Sequence, residues 1–192
     1  MASFKTDLLN ELYTPLRGAT QCPVGTDACT KIVFGVGDPL AKIMFIGEAP
    51  GRNEDAQGEP FVGRSGQLLN KCLNVAGIKR ENVFITNIVK CRPPDNRKPL
   101  PSEVAFYKPI LLREIKIIRP AVICTLGSSS LEALTNSTFS MTKIRGKILS
   151  FAGTDLIPTF HPAYVLRNPA ALSDLQNDLI KVVKHAYGTS NT

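Results

Sequence analysis

Four short apolar runs constrain the fold of this chain more than any other feature. They are KIMFIG (residues 42–47), VFIT (83–86), AVICTLG (121–127) and LIPTF (156–160). Each run is continuous rather than alternating, as is typical of strands buried on both faces of a parallel sheet. Helical patterns separate the runs at roughly residues 65–76, 101–118 and 128–134, and another follows at 169–187. This alternation predicts an α/β fold with a mainly parallel central sheet.

The length and the lack of long apolar segments predict a single globular domain. We expect one domain over residues 1–192, with an N-terminal helix and loop at 1–30 and a core at 31–190. No apolar run approaches the roughly 18–20 residues of a membrane span. The first 18 residues are amphipathic rather than organised as a signal peptide. We therefore expect a cytoplasmic protein, or a nuclear one in a eukaryote.

Polar residues follow each of the four predicted strands directly. They are Glu48, Asn87, Ser128 and His161. Since ligands of open α/β sheets bind beyond the carboxyl ends of parallel strands, these side chains are expected to meet in one crevice. The first of them opens the stretch GEAPGRNED, whose glycines allow close backbone approach to a ligand and whose proline stiffens the turn.

The charge of the chain favours a polyanionic partner. The sequence has 23 Lys and Arg against 16 Asp and Glu, a formal net charge of +7 at pH 7. Clustered cations gain free energy by releasing counterions from nucleic-acid phosphates. The alternative is that the chain is merely one of many basic soluble proteins.

Four motifs in order along the chain resemble the uracil-DNA glycosylase superfamily, most closely its bacterial and archaeal iron–sulfur branch (family four). The segments are VFGVGDPLAKIMFIGEAPGRNEDAQGEPFVGRSGQLLN, FITNIVKCRPPDNRKPLP, LGSSSLEAL and PTFHPAYVLRNP. The resemblance implies a three-layer α/β/α sandwich with a four-stranded, mainly parallel sheet. It also implies a monofunctional hydrolase that removes uracil from double- or single-stranded DNA and leaves an abasic site for base excision repair. Such a protein would be a monomer associated with the nucleoid.

The same resemblance assigns the residues that recognise uracil. Phe61 matches the aromatic residue that stacks on the flipped base, and Asn87 matches the amide that reads its pairing edge. An amide can donate to uracil O4 and accept from N3–H. Gly47 and Ala49 would line the pocket, and Glu54 resembles the residue that excludes the methyl group of thymine.

Two residues are the candidates for catalysis. His161 matches the histidine of the family's HP motif, whose ring N–H would stabilise negative charge on uracil O2 in the transition state. Glu48 is the candidate for orienting the attacking water or countering positive charge on the sugar. A solvated loop carboxylate is the alternative interpretation of either Glu48 or Glu54.

Two basic, proline-containing segments resemble the loops that grip the DNA strand. The predicted DNA contacts are Lys90, Arg92, Asn96, Arg97, Lys98, Tyr164, Val165, Leu166 and Arg167. The cations would neutralise phosphates, and Val165 with Leu166 would form the apolar wedge that replaces the flipped base.

The cysteine pattern departs from the family. Its [4Fe–4S] cluster needs four cysteines, of which Cys22 and Cys91 match two, whereas Ala19 and Tyr107 occupy the other two positions. Cys29 could supply a third ligand by a different loop path. We expect that the cluster is lost and that no cofactor is needed for the chemistry.

Two other functions remain open on the sequence. One is a catalytically weak nucleic-acid-binding relative that acts as a partner module, although the retained Glu48, Phe61, Asn87 and His161 argue against it. The other is a nucleotide-binding α/β domain, but no glycine-rich phosphate loop of the usual spacing follows the first strand.

Overall fold

A computed structural model describes residues 1–17 and 29–188. The strands are β1 (Val36–Gly37), β2 (Ile43–Gly47), β3 (Phe84–Asn87), β4 (Val122–Leu126), β5 (Leu149–Phe151) and β6 (Thr154–Thr159). The helices are α1 (Ala2–Arg17), α2 (Arg52–Gln57), α3 (Arg64–Val75), α4 (Pro101–Ile118), α5 (Ser128–Thr135), α6 (Met141–Ile144), α7 (Pro162–Arg167) and α8 (Leu172–Tyr187). Within these residues, no helix combines the length and apolar character needed to cross a membrane.

The six strands form one sheet in the order β1-β3-β2-β4-β6-β5. The four inner strands are parallel, with Gly47 of β2 beside Asn87 of β3 and Ile123 of β4 beside Leu156 of β6. Strands β1 and β5 pair antiparallel with the outer members of this set. Strands β2, β3, β4 and β6 are therefore the four strands that the apolar runs predict.

Helices cover both faces of the sheet, as expected for a parallel sheet whose strands are buried on both sides. On one face, α1, α4 and α5 pack on residues such as Met44 and Ile123. On the other, α3, α7 and α8 pack on residues such as Phe45 and Cys124. The alternation of Met44 and Phe45 between the two cores follows from the two-residue period of a strand. The architecture is the expected α/β/α sandwich.

The elements that the sequence did not reveal are short. Strands β1 and β5 have two and three residues, too few for a recognisable hydrophobic pattern. The segment from His161 to Pro169, expected to be a loop, contains the six-residue helix α7. Helices α2 and α6 are likewise one or two turns long. Such elements depend on contacts with the rest of the fold rather than on their own periodicity.

The strand order fixes where a ligand can bind. The chain passes from β2 to β3 on one side of β2 and then returns to β4 and β6 on the other side. The connections leaving β2 and β4 therefore diverge, and a crevice opens between them at the carboxyl edge of the sheet.

Candidate active site

A pocket of about 810 Å³ occupies this crevice. Its wall contains residues at the carboxyl ends of all four parallel strands: Glu48 after β2, Asn87 as the last residue of β3, Gly127 with Ser128 after β4, and Phe160 with His161 after β6. The volume lies within the range of small-molecule sites in proteins. The expectation that these strand ends meet in one place is thus met by the geometry.

Phe61 forms an apolar wall of the pocket and has an unusual backbone. Its φ is +54°, a conformation that costs a non-glycine residue about 1–3 kcal/mol. The ring is almost fully buried, and its centroid lies 5.6 Å from that of the His161 ring. A Cβ at Gly47 would lie 2.5 Å from the Phe61 ring, so only glycine lets the ring approach the strand here.

Asn87, the last residue of β3, holds a carboxamide that no other described residue satisfies. Both its Oδ1 and its Nδ2 are buried without a hydrogen-bond partner among the described residues, and the side chain lines the pocket. Leaving buried polar atoms unpaired costs roughly 1–3 kcal/mol, so such groups call for an explanation. A ligand with one acceptor and one donor side by side would pair with both atoms.

His161 is held as a neutral ring with a defined tautomer. It caps the start of α7, and its Nδ1 accepts a hydrogen bond from the backbone N–H of Ala163 at 3.0 Å. Burial lowers the pKa of His161 to about 4; Arg167 acts in the same direction and Glu54 opposes it. At neutral pH the single ring proton is therefore on Nε2.

A glycine on the neighbouring strand end allows His161 to sit where it does. Gly127, which precedes α5, has φ +91°, and a Cβ there would lie 3.1 Å from the Cβ of His161. The β4 and β6 strand ends can therefore approach each other closely beside the pocket.

The two glutamates of the GEAPGRNED stretch have different surroundings. Glu54 accepts backbone N–H hydrogen bonds from Gly51, Val62 and Gly63 at 3.1, 2.9 and 2.8 Å. It therefore ties the turn after β2 to the segment that carries Phe61, and it is not the solvated carboxylate of the alternative interpretation. The side chain of Glu48 is half-buried, lines the pocket and has no hydrogen-bond partner among the described residues.

Three exposed arginines line the pocket without an ion pair to any described residue. They are Arg52, Arg64 and Arg167. Of these three, only Arg167 is predicted from the sequence. Arg52 and Arg64 each follow a helix-capping glycine, Gly51 or Gly63, and this repeated Gly-Arg pair at a helix start is the signal that could have revealed them.

Some of the cations in the segment after β3 are engaged in ion pairs. Pro93, Asn96 and Arg97 line the pocket. Arg97 donates to both carboxylate oxygens of Glu103, at 2.9 and 2.7 Å, and this contact holds the pKa of Glu103 below its ordinary value. Lys98 lies 3.2 Å from Glu132 at the surface. These cations lie near the pocket, but their carboxylate partners reduce the charge they present.

Lys90 does not contact DNA, contrary to the sequence prediction. Its side chain is fully buried, and its Nζ lies 2.7 Å from Oε2 of Glu114. The same ammonium donates to Thr86 Oγ1 at 2.6 Å and to the carbonyl of Asn87 at 2.8 Å, and Tyr13 donates to the other oxygen of Glu114. A lysine next to a basic segment looks like a surface cation in sequence, whereas here a buried carboxylate from α4 accounts for it.

Val165 is also excluded from its predicted role. Its side chain is buried in the core between α3, α7 and α8, so it cannot act as a wedge that enters DNA. The neighbouring Leu166 and Tyr164 are exposed at 36% and 38%. Since α7 is a helix rather than a loop, successive residues point in different directions, and of the two aliphatic residues only Leu166 is exposed enough to stay a candidate for the wedge.

Two of the cysteines considered for the cluster are joined in a disulfide. Cys29 and Cys91 are bonded to each other, with Cα atoms 5.6 Å apart. Tyr107 stands where the family has a cluster cysteine. It is a fully buried side chain of α4 and is in edge contact with Phe106. Cys22 and Ala19 lie outside the described residues. Among the described residues, no group of three or more His, Cys, Asp or Glu side chains could hold a metal ion.

Comparison with known proteins gives a consistent result. The family model described as the uracil DNA glycosylase superfamily matches residues 34–184. A Type-4 uracil-DNA glycosylase of Thermotoga maritima is 43% identical over 166 residues, which cover 85% of this chain and 86% of that protein. A Type-4 uracil-DNA glycosylase of Saccharolobus solfataricus is 46% identical over 159 residues, covering 78% and 74%. Similarity to a Type-5 uracil-DNA glycosylase of Pyrobaculum aerophilum is lower, at 29% over 154 residues.

Proposed function

This chain belongs to the uracil-DNA glycosylase superfamily, and we propose that its pocket binds a flipped-out deoxyuridine and hydrolyses the N-glycosidic bond. The protein is a monofunctional uracil-DNA glycosylase that releases uracil and leaves an abasic site in DNA. The observation that carries the proposal for the pocket is the buried, unpartnered carboxamide of Asn87. Uracil offers the adjacent O4 acceptor and N3–H donor that would satisfy both of its polar atoms.

Phe61 and Asn87 recognise the base together in this proposal. The Phe61 ring supplies an apolar face on which a flipped base stacks, and the Asn87 amide reads its pairing edge. Cytosine carries an amino donor where uracil has O4, so it would oppose the amide donor. Glu54 lines the same wall and is the proposed barrier to the thymine methyl group.

His161 acts on the charge that develops on the departing base. As the bond to the sugar breaks, negative charge accumulates on uracil and positive charge on the anomeric carbon. A neutral imidazole with its proton on Nε2 can donate to uracil O2 and stabilise the leaving anion without first losing charge. Half-buried Glu48, whose carboxylate is not engaged by other described side chains, would orient the attacking water or counter the sugar charge.

The pocket mouth would hold the DNA strand through its cations. Arg52, Arg64 and Arg167 carry charges without carboxylate partners among the described residues, so they are the proposed phosphate contacts. Exposed Leu166, next to Arg167, is the proposed wedge that fills the space left by the base. We propose that the protein works as a monomer in the compartment that holds DNA, the bacterial cytoplasm or a eukaryotic nucleus.

Excision of uracil from an oligonucleotide tests the proposal directly. A labelled strand with one uracil is incubated with the protein and then cleaved with alkali, in parallel with strands containing thymine or cytosine. Cleavage only at uracil is expected. Binding of the uracil strand without cleavage would instead support a nucleic-acid-binding module that lacks the activity.

We also propose that the iron–sulfur cluster of the family is lost from this chain. The support is the bond between Cys29 and Cys91 and the buried Tyr107 in place of a ligand. Protein purified without oxygen should then lack the broad absorption near 400 nm of a four-iron cluster. A brown preparation with about four irons per chain would overturn this proposal while leaving the excision activity untouched.

A further inference from the structure

The residues around Phe61 are held from two sides by charged side chains. The segment 60–63, which we name the Phe61 loop, directs its backbone N–H groups of Val62 and Gly63 to the carboxylate of Glu54. Its carbonyl groups at Pro60 and Phe61 point the other way. Phe61, the residue with the positive φ, lies in the loop between these two sets of contacts. The direction of the ring therefore depends on what holds both sides of the loop.

Arg80 holds the carbonyl side of the Phe61 loop. Its Nη2 donates to the carbonyl of Pro60 at 2.6 Å, and its Nη1 donates to the carbonyl of Phe61 at 3.2 Å. The same Nη1 donates to Oδ1 of Asn70 on α3 at 3.1 Å, which anchors the guanidinium on a helix. A planar guanidinium suits two successive carbonyls because its donors are fixed in a fork, whereas a lysine ammonium is a single point.

Arg80 performs this role from outside the pocket. It lies in the short 3-10 turn that precedes β3, and it is absent from the pocket wall. Burial lowers the pKa of the Arg80 guanidinium, and Glu59 and Glu54 oppose that shift, so the group keeps its charge at neutral pH. The charge is therefore available to hold carbonyls but not to contact the base.

We propose that Arg80 is a positioning residue for uracil excision, whose guanidinium keeps the Phe61 backbone in the conformation that presents the ring to the base. This inference rests on the proposed function, since it gives Arg80 an effect only through base stacking. If Arg80 acts through Phe61, removing the guanidinium should matter only while the Phe61 ring is present.

A double-mutant cycle tests that dependence. Single-turnover excision of uracil is measured for wild type, Arg80→Ala, Phe61→Ala and the double variant. We expect a loss of about tenfold or more for each single variant, and a double variant within about threefold of Phe61→Ala. A double variant that loses the product of both factors would overturn the proposal, because Arg80 would then act by another route.

The neighbouring Lys79 provides a matched control. Lys79 is exposed, and its only ion pair among the described residues is a 3.9 Å contact with Glu81. Lys79→Ala removes a cation from the same turn without touching the Phe61 loop and should excise at the wild-type rate. A comparable loss in Lys79→Ala would assign the effect to the turn and overturn the proposal for Arg80.

Chemical rescue separates positioning from general support of the fold. Guanidinium chloride at millimolar concentration should raise the rate of Arg80→Ala saturably, whereas equal sodium chloride should not. Arg80→Lys, which keeps the charge but not the fork, should be intermediate and serves in the cycle if Arg80→Ala does not fold. Absence of rescue together with an additive cycle would refute the role of Arg80 and leave the proposed function standing. Absence of excision by the wild-type protein would refute the proposed function itself.

Discussion

At the scale of single residues, the surroundings of His161 fix the charge of its ring and the nitrogen that carries the proton. The Ala163 N–H occupies Nδ1, and burial keeps the pKa of the ring at about 4, so the ring is neutral around neutral pH. A neutral donor interacts weakly with a neutral base and more strongly with the anion that leaves. Its contribution is therefore concentrated in the transition state.

Replacing His161 should lower turnover far more than binding. We expect His161→Ala to reduce the single-turnover rate by two or more orders of magnitude, since removing one such donor typically costs that much. Binding of a uracil-containing strand should change little. His185, which pairs with Asp155 on the surface, provides the control: His185→Ala should keep the wild-type rate. Equal activity of His161→Ala and wild type at saturating DNA would remove His161 from the mechanism.

Replacing Asn87 should alter which base is accepted. Asn87→Asp exchanges the amide donor for a second acceptor, which would face uracil O4 without a proton to share, at a cost of about 1–3 kcal/mol. Cytosine presents an amino donor there, so the ratio of cytosine to uracil excision should rise even if both rates fall. The measurement compares single-turnover rates on strands that differ only in that base.

Asn74, which is exposed on α3, provides a control that separates a change in base recognition from the effect of the added charge. Asn74→Asp adds the same charge away from the pocket and should leave the base preference unchanged. If Asn87→Asp removes uracil at the wild-type rate and still ignores cytosine, Asn87 belongs to the turn and not to base reading.

At the scale of elements, one buried ionic network joins three of them. Lys90, just after β3, pairs with Glu114 of α4, and Tyr13 of α1 donates to the same carboxylate at 2.7 Å. Lys90 also donates to the carbonyl of Asn87, so the network contacts the backbone of the residue that is proposed to read the base. Its members are fully or almost fully buried, which makes a broken pair more costly than a surface one.

Lys90→Met should therefore act on stability and not on DNA electrostatics. Leaving Glu114 buried without its partner should cost about 3–5 kcal/mol of unfolding free energy, measured by denaturant titration. The double variant Lys90→Met with Glu114→Leu should recover much of that loss. A Lys90→Met protein with unchanged stability would contradict the buried pair.

Arg167→Ala is the contrasting surface variant. Because Arg167 is an exposed cation at the pocket, its loss should lower the salt dependence of DNA binding by about one unit of slope and leave stability unchanged. If Lys90→Met, and not Arg167→Ala, lowered that slope, the assignment of Lys90 to the interior would be wrong.

The sequence predicts the inner part of this fold well because the inner strands are buried on both faces. That burial produces runs such as those ending at Gly47 and Thr86, and it places the following polar residues at one edge. The side chains that meet across long sequence distances are not predictable in this way. Lys90 looks like a DNA contact until Glu114 is brought beside it, and nothing in the sequence links Arg80 to the carbonyl of Pro60 that it contacts.

At the scale of the whole molecule, no single part of the fold holds the site on its own. The pocket takes residues from the ends of four strands, and Phe61 and His161 touch although they are far apart in sequence. The buried ionic network of Lys90, Glu114 and Tyr13 lies on the face of the sheet opposite to α3 and α7. A partly unfolded molecule therefore cannot retain the complete set of groups.

Activity and fold should be lost together as urea is raised. We expect the midpoint of excision activity, measured after equilibration, to coincide with the midpoint of the far-ultraviolet circular dichroism transition, as for a two-state domain. Control samples diluted back from urea should recover both signals. Loss of activity at clearly lower urea, with the circular dichroism signal intact, would show that the pocket opens separately.

The strand order also has a consequence for how the protein is made in the cell. Ribosomes deliver the N-terminal strands first, so β2 and β3 emerge together with Phe61 and Asn87, the residues proposed to bind the base, while β6 is still untranslated. His161, the proposed donor to the leaving base, arrives only after the last parallel strand. If the proposed roles hold, a nascent or prematurely terminated chain that lacks β6 should not excise uracil from the chromosome, and the capacity to create abasic sites should begin only when translation has passed that strand.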